Sequence, residues 1–127
     1  MWNRSKAVEH LTNHAQPHST GHCAEYVRKA VEAGGVKLHH HISAKDYGSS
    51  LLVVGFHKIV HAHANTHYRH RAGDVAVIQP IAGHRHGHMA MFDGTHWISD
   101  FKQYHGVYPG HLYRELKPAY AIYRHPL

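Results

Sequence analysis

Along the first third of the chain, apolar side chains recur at helical spacing. Ala7, Val8 and Leu11 share one face of the segment 5–14, which Gln16-Pro17 then breaks. A second face runs through Cys23, Ala24, Val27, Ala30 and Val31; it opens after the capping residues Ser19 and Thr20 and stops at Gly34-Gly35. Ser43-Ala44-Lys45-Asp46 has the form of a capping box and predicts a third helix to about Val54, closed by Gly55. Beyond it the pattern changes. Short apolar runs at 56–60, 75–78, 88–92, 96–100 and 119–124 read as strands, bounded by Gly73-Asp74, Pro80 and other turn residues. Asp93-Gly94 predicts a tight hairpin turn between 88–92 and 96–100. Helices gathered ahead of antiparallel strands predict an α+β fold, and 127 residues without repeat or linker predict one domain over 1–127.

Composition narrows the classes. With 43% hydrophobic and 17% charged residues the chain is an ordinary globular sequence, and a single cysteine excludes an intrachain disulfide. No apolar run is long enough to span a bilayer. Met1 to Lys6 lead into amphipathic sequence without the apolar core of a signal peptide, so synthesis in the cytoplasm is expected. Action outside the cell would then require a dedicated secretion apparatus. A net charge of +6 favours anionic partners. There is no block of consecutive Lys and Arg and no nucleic-acid motif, so nucleic acid is not the expected one.

Candidate chemistry begins with Cys23 in the first turn of the second predicted helix. Unpaired N–H groups and the positive end of the helix dipole face a thiol there, and both favour the nucleophilic thiolate. The predicted hairpin supplies a base. His88 opens one strand and Asp100, twelve residues on, closes its neighbour, which places them roughly opposite one another. A carboxylate holding one imidazole nitrogen while the other faces a thiol is the arrangement of nucleophilic acyl transfer.

These segments resemble a known family. Gly21-His22-Cys23-Ala24-Glu25-Tyr26-Val27 is similar to the G-x-C-x-x-[YF]-V segment around the nucleophile of CHAP domains, the cysteine- and histidine-dependent amidohydrolases and peptidases. Gly73-Asp74-Val75-Ala76-Val77 resembles their G-D-V-A-V strand, and Gly87-His88-Met89-Ala90-Met91 their G-H-V-A-I strand with the histidine base. The related NlpC-type peptidases carry a polar third residue on the next strand, where Asp100 falls. Glu25 departs from the pattern, replacing an aromatic residue often found there. The resemblance implies a papain-like fold that cleaves amide bonds of bacterial peptidoglycan, with Cys23, His88 and Asp100 as the catalytic set and no metal or other cofactor. Small size and the tail Trp97-Ile98-Ser99-Asp100-Phe101-Lys102-Gln103-Tyr104 resemble one subgroup, the peptidoglycan amidase toxins delivered by type VI secretion. That subgroup implies a cognate immunity protein, a secretion apparatus and activity in the periplasm of target bacteria.

Two other classes compete on residues alone. The chain holds 19 histidines; His84, His86 and His88 alternate, and His39-His40-His41 and His61-x-His63 add further imidazoles, so a zinc-dependent hydrolase or metal-binding protein is the natural rival. Gly83 and Gly87 instead predict a loop around the alternating set, and no recognised zinc spacing accompanies it. A non-catalytic basic binding module is the second rival. Trp97 and Tyr26 are expected to pack in the interior, and Tyr104, Tyr108 and Tyr113 are candidates for a substrate groove.

Overall fold

The computed structural model describes residues 1–61 and 69–126. Helix α1 spans Arg4–His14 and α2 Cys23–Ala33. Asn3 caps α1 by accepting from the Lys6 amide, and Ala7 and Leu11 turn inward as the periodicity predicts. Val27, Ala30 and Val31 form the buried stripe of α2. The Trp2 indole closes the end of α2, donating to the Val31 carbonyl at 2.8 Å.

The predicted third helix is broken. Ala44–Asp46 form one 3-10 turn, and a short helix α3 follows over Gly48–Val53. Ser43 does not act as a side-chain cap; its hydroxyl pairs with His86 Nδ1 at 2.6 Å. The break falls at Tyr47, which is buried with its hydroxyl on the His41 backbone. Tertiary hydrogen bonds therefore override the local capping pattern.

Six strands follow: β1 His57–His61, β2 Val75–Ile78, β3 His88–Phe92, β4 Trp97–Ile98, β5 Lys102–Gln103 and β6 Tyr120–Arg124, with helix α4, His111–Leu116, between the last two. They form an antiparallel sheet in the order β1-β6-β2-β3-β4-β5. Central strands β2 and β3 are buried on both faces. Val75, Val77, Met89 and Met91 meet α1 and α2, while Ala76, Ile78, Ala90 and Phe92 pack with Trp97, Ile122 and Tyr113. This is the α+β arrangement expected from the sequence.

Two differences matter for the site. Strand β4 holds only Trp97 and Ile98, so Asp100 lies in the bend that follows it. The pairs Met91–Ile98 and Phe92–Trp97 also set a register that, continued, would put Met89 rather than His88 opposite Asp100. After that bend the chain re-enters the sheet as β5, a strand the hydrophobic pattern did not predict.

Candidate active site

Cys23 is the first residue of α2, preceded by a loop that turns at Gly21 with φ +79°. That loop is tied down by Asp100. One carboxylate oxygen, Oδ2, accepts from the Thr20 amide, from the Thr20 hydroxyl at 2.8 Å and from the His22 amide at 3.4 Å. The Asp100 carbonyl accepts from the Gln16 amide at 2.7 Å. Burial alone would push the Asp100 carboxyl up, but the Thr20 and His22 hydrogen bonds and its own backbone amide together hold it below the usual range. Asp100 thus fixes the approach to the helix start.

His88 opens β3 and is buried. Its hydrogen-bond partner is Gln103 of β5, not Asp100: His88 Nε2 and Gln103 Oε1 are 2.8 Å apart. Both N–H groups of the Gln103 amide are engaged, donating to the carbonyls of Gly106 at 3.0 Å and Val107 at 2.9 Å. The remaining amide atom facing His88 is therefore an acceptor, and Nε2 must carry the proton. Nδ1 is left with the lone pair. No hydrogen bond joins Asp100 to His88, contrary to the expectation from sequence: the strand that was to carry it stops two residues short, Oδ2 holds the Thr20 loop, and Oδ1 is buried without a hydrogen-bond partner among the described residues.

Cys23, His88 and Asp100 nevertheless share one cleft of about 740 Å³, with Tyr113, Gly83 to Gly87 and Phe101 among its walls. A smaller cleft of about 240 Å³ also reaches Cys23, between the His40–Ile42 segment and the first turns of α2. Cys23 lines both.

The resting protonation differs from the thiolate predicted for a helix start. Burial pushes the Cys23 thiol up to about 11; the Met89, Ala24 and Cys23 amides pull it down, and the Asp100 charge adds to the rise. Desolvation outweighs the helix dipole. Burial likewise holds His88 down to about 4, against the opposing effects of Gln103 and Asp100, with His84 adding to the lowering. At neutral pH the pair is a neutral thiol and a neutral imidazole, suited to proton transfer during attack rather than to a preformed ion pair.

The other two histidines of the alternating set part from His88's role. His84 packs against the Tyr113 ring, 5.5 Å between centroids, and His86 turns to Ser43. Residues 82–86 form turns rather than a strand, so the three alternating imidazoles do not share a face. His63 lies outside the described residues. Among the described residues no group of three or more His, Cys, Asp or Glu side chains is placed to hold a metal ion. No described helix is long and apolar enough to cross a membrane. Trp97 is buried in the core on the Tyr113 side of the sheet, Tyr26 packs against the core beneath α1 and α2, and Tyr104 is largely exposed.

The sequence alone does not mark Gln103 as the partner of His88, and it marks Tyr113 only as a groove candidate. The signal available for Gln103 was Ser99-Asp100-Phe101, a turn-forming stretch that moves the next polar strand residue from position 100 to 103.

The site and the sheet that carries it define a class: α+β proteins with a helix-start thiol and a strand imidazole in one cleft. No family model matches the chain, and no curated protein matches it. Solved structures do. The chain is similar to the type VI native effector–immunity complex Tae3–Tai3 from Ralstonia pickettii, at 51% identity and a TM-score of 0.89, covering 98% of this chain and 100% of that one. The selenomethionine form of the same complex matches at 54% identity and a TM-score of 0.86, covering 94% and 99%. The chain belongs to the Tae3 family of type VI effectors.

Proposed function

We propose that this protein is an antibacterial cysteine amidase that hydrolyses an amide bond of peptidoglycan, in a stem peptide or a crosslink. The observation that carries the reading is the convergence of Cys23 and a tautomer-fixed His88 on one cleft, in a chain of the Tae3 family. Cys23 Sγ attacks the carbonyl carbon while His88 Nδ1 takes the thiol proton. The tetrahedral oxygen is met by the Cys23 backbone N–H at the start of α2. The C–N bond then breaks, His88 returns the proton to the departing amine, and the acyl group remains as a thioester on Cys23. Water, deprotonated by His88, cleaves the thioester to a carboxylic acid and restores the thiol. Gln103 positions His88, and Asp100 positions the loop that presents Cys23.

Delivery by a type VI apparatus into the periplasm of a rival cell fits the family, and the Tai3 complexes support a cognate immunity protein as partner. The chemistry is tested by treating the protein with iodoacetamide or with EDTA before digestion of purified sacculi. Release of new amine ends should be abolished by the thiol reagent and unaffected by the chelator; the reverse result would replace the cysteine mechanism with a metal-dependent one.

A further inference from the structure

Tyr113 lines the cleft that also holds Cys23 and His88. The residue lies on α4 and is only 4% exposed, yet its side chain makes no hydrogen bond among the described residues. The hydroxyl oxygen is not among the buried polar atoms left without a partner, so it meets the solvent of the cleft that Tyr113 lines, where a substrate oxygen can take the place of water. The ring is held on three sides. It packs against His88 with centroids 6.1 Å apart, against His84 at 5.5 Å, and stacks on Tyr108 at 6.4 Å and 25°. Tyr108 is itself anchored, donating to the Pro118 carbonyl at 2.7 Å. What remains open is the hydroxyl end, on the cleft shared with Cys23 and His88.

We infer that the Tyr113 hydroxyl donates a hydrogen bond to the oxygen that becomes negative when Cys23 attacks a carbonyl, completing an oxyanion site with the Cys23 backbone N–H. The inference rests on the cysteine-amidase reading and adds a catalytic residue to it. Burial, with a further contribution from the Cys23 thiol, pushes the Tyr113 hydroxyl up to about 12, so the donor keeps its proton throughout the neutral range. A second donor is useful at this site. The thiol is neutral at rest, so the negative charge of the adduct develops wholly during the step. Pre-placed donors aimed at such charge are the largest single contribution in acyl transfer.

The test separates acylation from simple thiol reactivity in the full chain. p-Nitrophenyl acetate acylates Cys23 through a tetrahedral oxyanion; iodoacetamide alkylates it without one. Rates are taken for the wild-type protein and Tyr113→Phe at pH 7, with Cys23→Ala as the blank. Tyr113→Phe should slow acylation by about 10- to 100-fold and leave alkylation within about twofold. Acylation at the wild-type rate would overturn the assignment, and so would a parallel fall in both rates, which would make Tyr113 a packing residue. Acylation of the wild-type protein no faster than the blank would instead sink the cysteine-amidase reading, and this inference with it.

Discussion

A neutral thiol and a neutral imidazole in one cleft change how Cys23 should behave towards acid and base. In the proposed mechanism the competent form of His88 is the unprotonated one. Because burial holds that group at about 4, kcat/KM on soluble muropeptides should rise with pH through about 4 and be level from pH 5.5 to 8. An acid limb near 6.5, the value of an ordinary histidine, would contradict the desolvated base. The thiol leads to a second expectation: alkylation by iodoacetamide should climb steadily from pH 7 upward, since the thiolate fraction is set by a value of about 11. A plateau by pH 7 would mean a preformed thiolate. Gln103 and Asp100 are separable at the same scale. Gln103→Ala frees the imidazole tautomer and should lower turnover of sacculi roughly 10- to 100-fold. Asp100→Asn loosens the Thr20 loop and should lower turnover less than His88→Ala does. A silent Gln103→Ala beside an Asp100→Asn as damaging as His88→Ala would return the orienting role to the carboxylate.

Among the elements, β3 begins at a crowded turn. Gly87 has φ +71°, and a Cβ there would stand 2.3 Å from the Ile78 carbonyl oxygen of the neighbouring strand. Gly83, in the same loop, has φ +85° but nothing within 4 Å of its Cβ position. Both substitutions by alanine carry the cost of a left-handed residue, about 1 kcal/mol, but only Gly87→Ala adds a clash with backbone. Gly87→Ala should therefore lower the melting temperature by several degrees more than Gly83→Ala, and it should also reduce turnover because His88 is the next residue. Equal effects would show that the crowding is relieved without moving β3. The same scale shows what the sequence discloses. The bounds of β2 and β3 follow directly from apolar runs and turn residues, and α1 and α2 from their periodicity. The third helix does not, since Tyr47 and Ser43 bond to partners far outside the window that a capping pattern inspects. Nor does α4, whose six residues carry no side-chain cap. Gln103 was hidden because its partner depends on where β4 stops, and a two-residue strand has no pattern of its own.

Across the whole molecule, the sheet is fastened by an ion pair that sequence reading assigned only to a family-like strand. Asp74, fully buried at the start of β2, receives Arg124 Nε and Nη2 at 2.7 Å each, joining the end of β6 to the middle of the sheet. Arg124→Met would remove the guanidinium from which both Asp74 carboxylate oxygens accept and should cost about 3 kcal/mol in urea denaturation; a loss under about 1 kcal/mol would show the pair to be dispensable. With the sheet so held, α2 brings Cys23 and β3 brings His88 to one cleft from positions 65 residues apart (88 − 23). The membership of the Tae3 family is a property of the whole chain, since the match covers 98% of it, whereas the individual motifs are local. In the proposed mechanism this cleft cuts peptidoglycan through Cys23. Mass spectrometry of purified sacculi digested by the wild-type protein and by Cys23→Ala decides this: a single new class of amide cleavage is expected with the wild type and none with the variant, and fragments released by Cys23→Ala would rule the cysteine mechanism out.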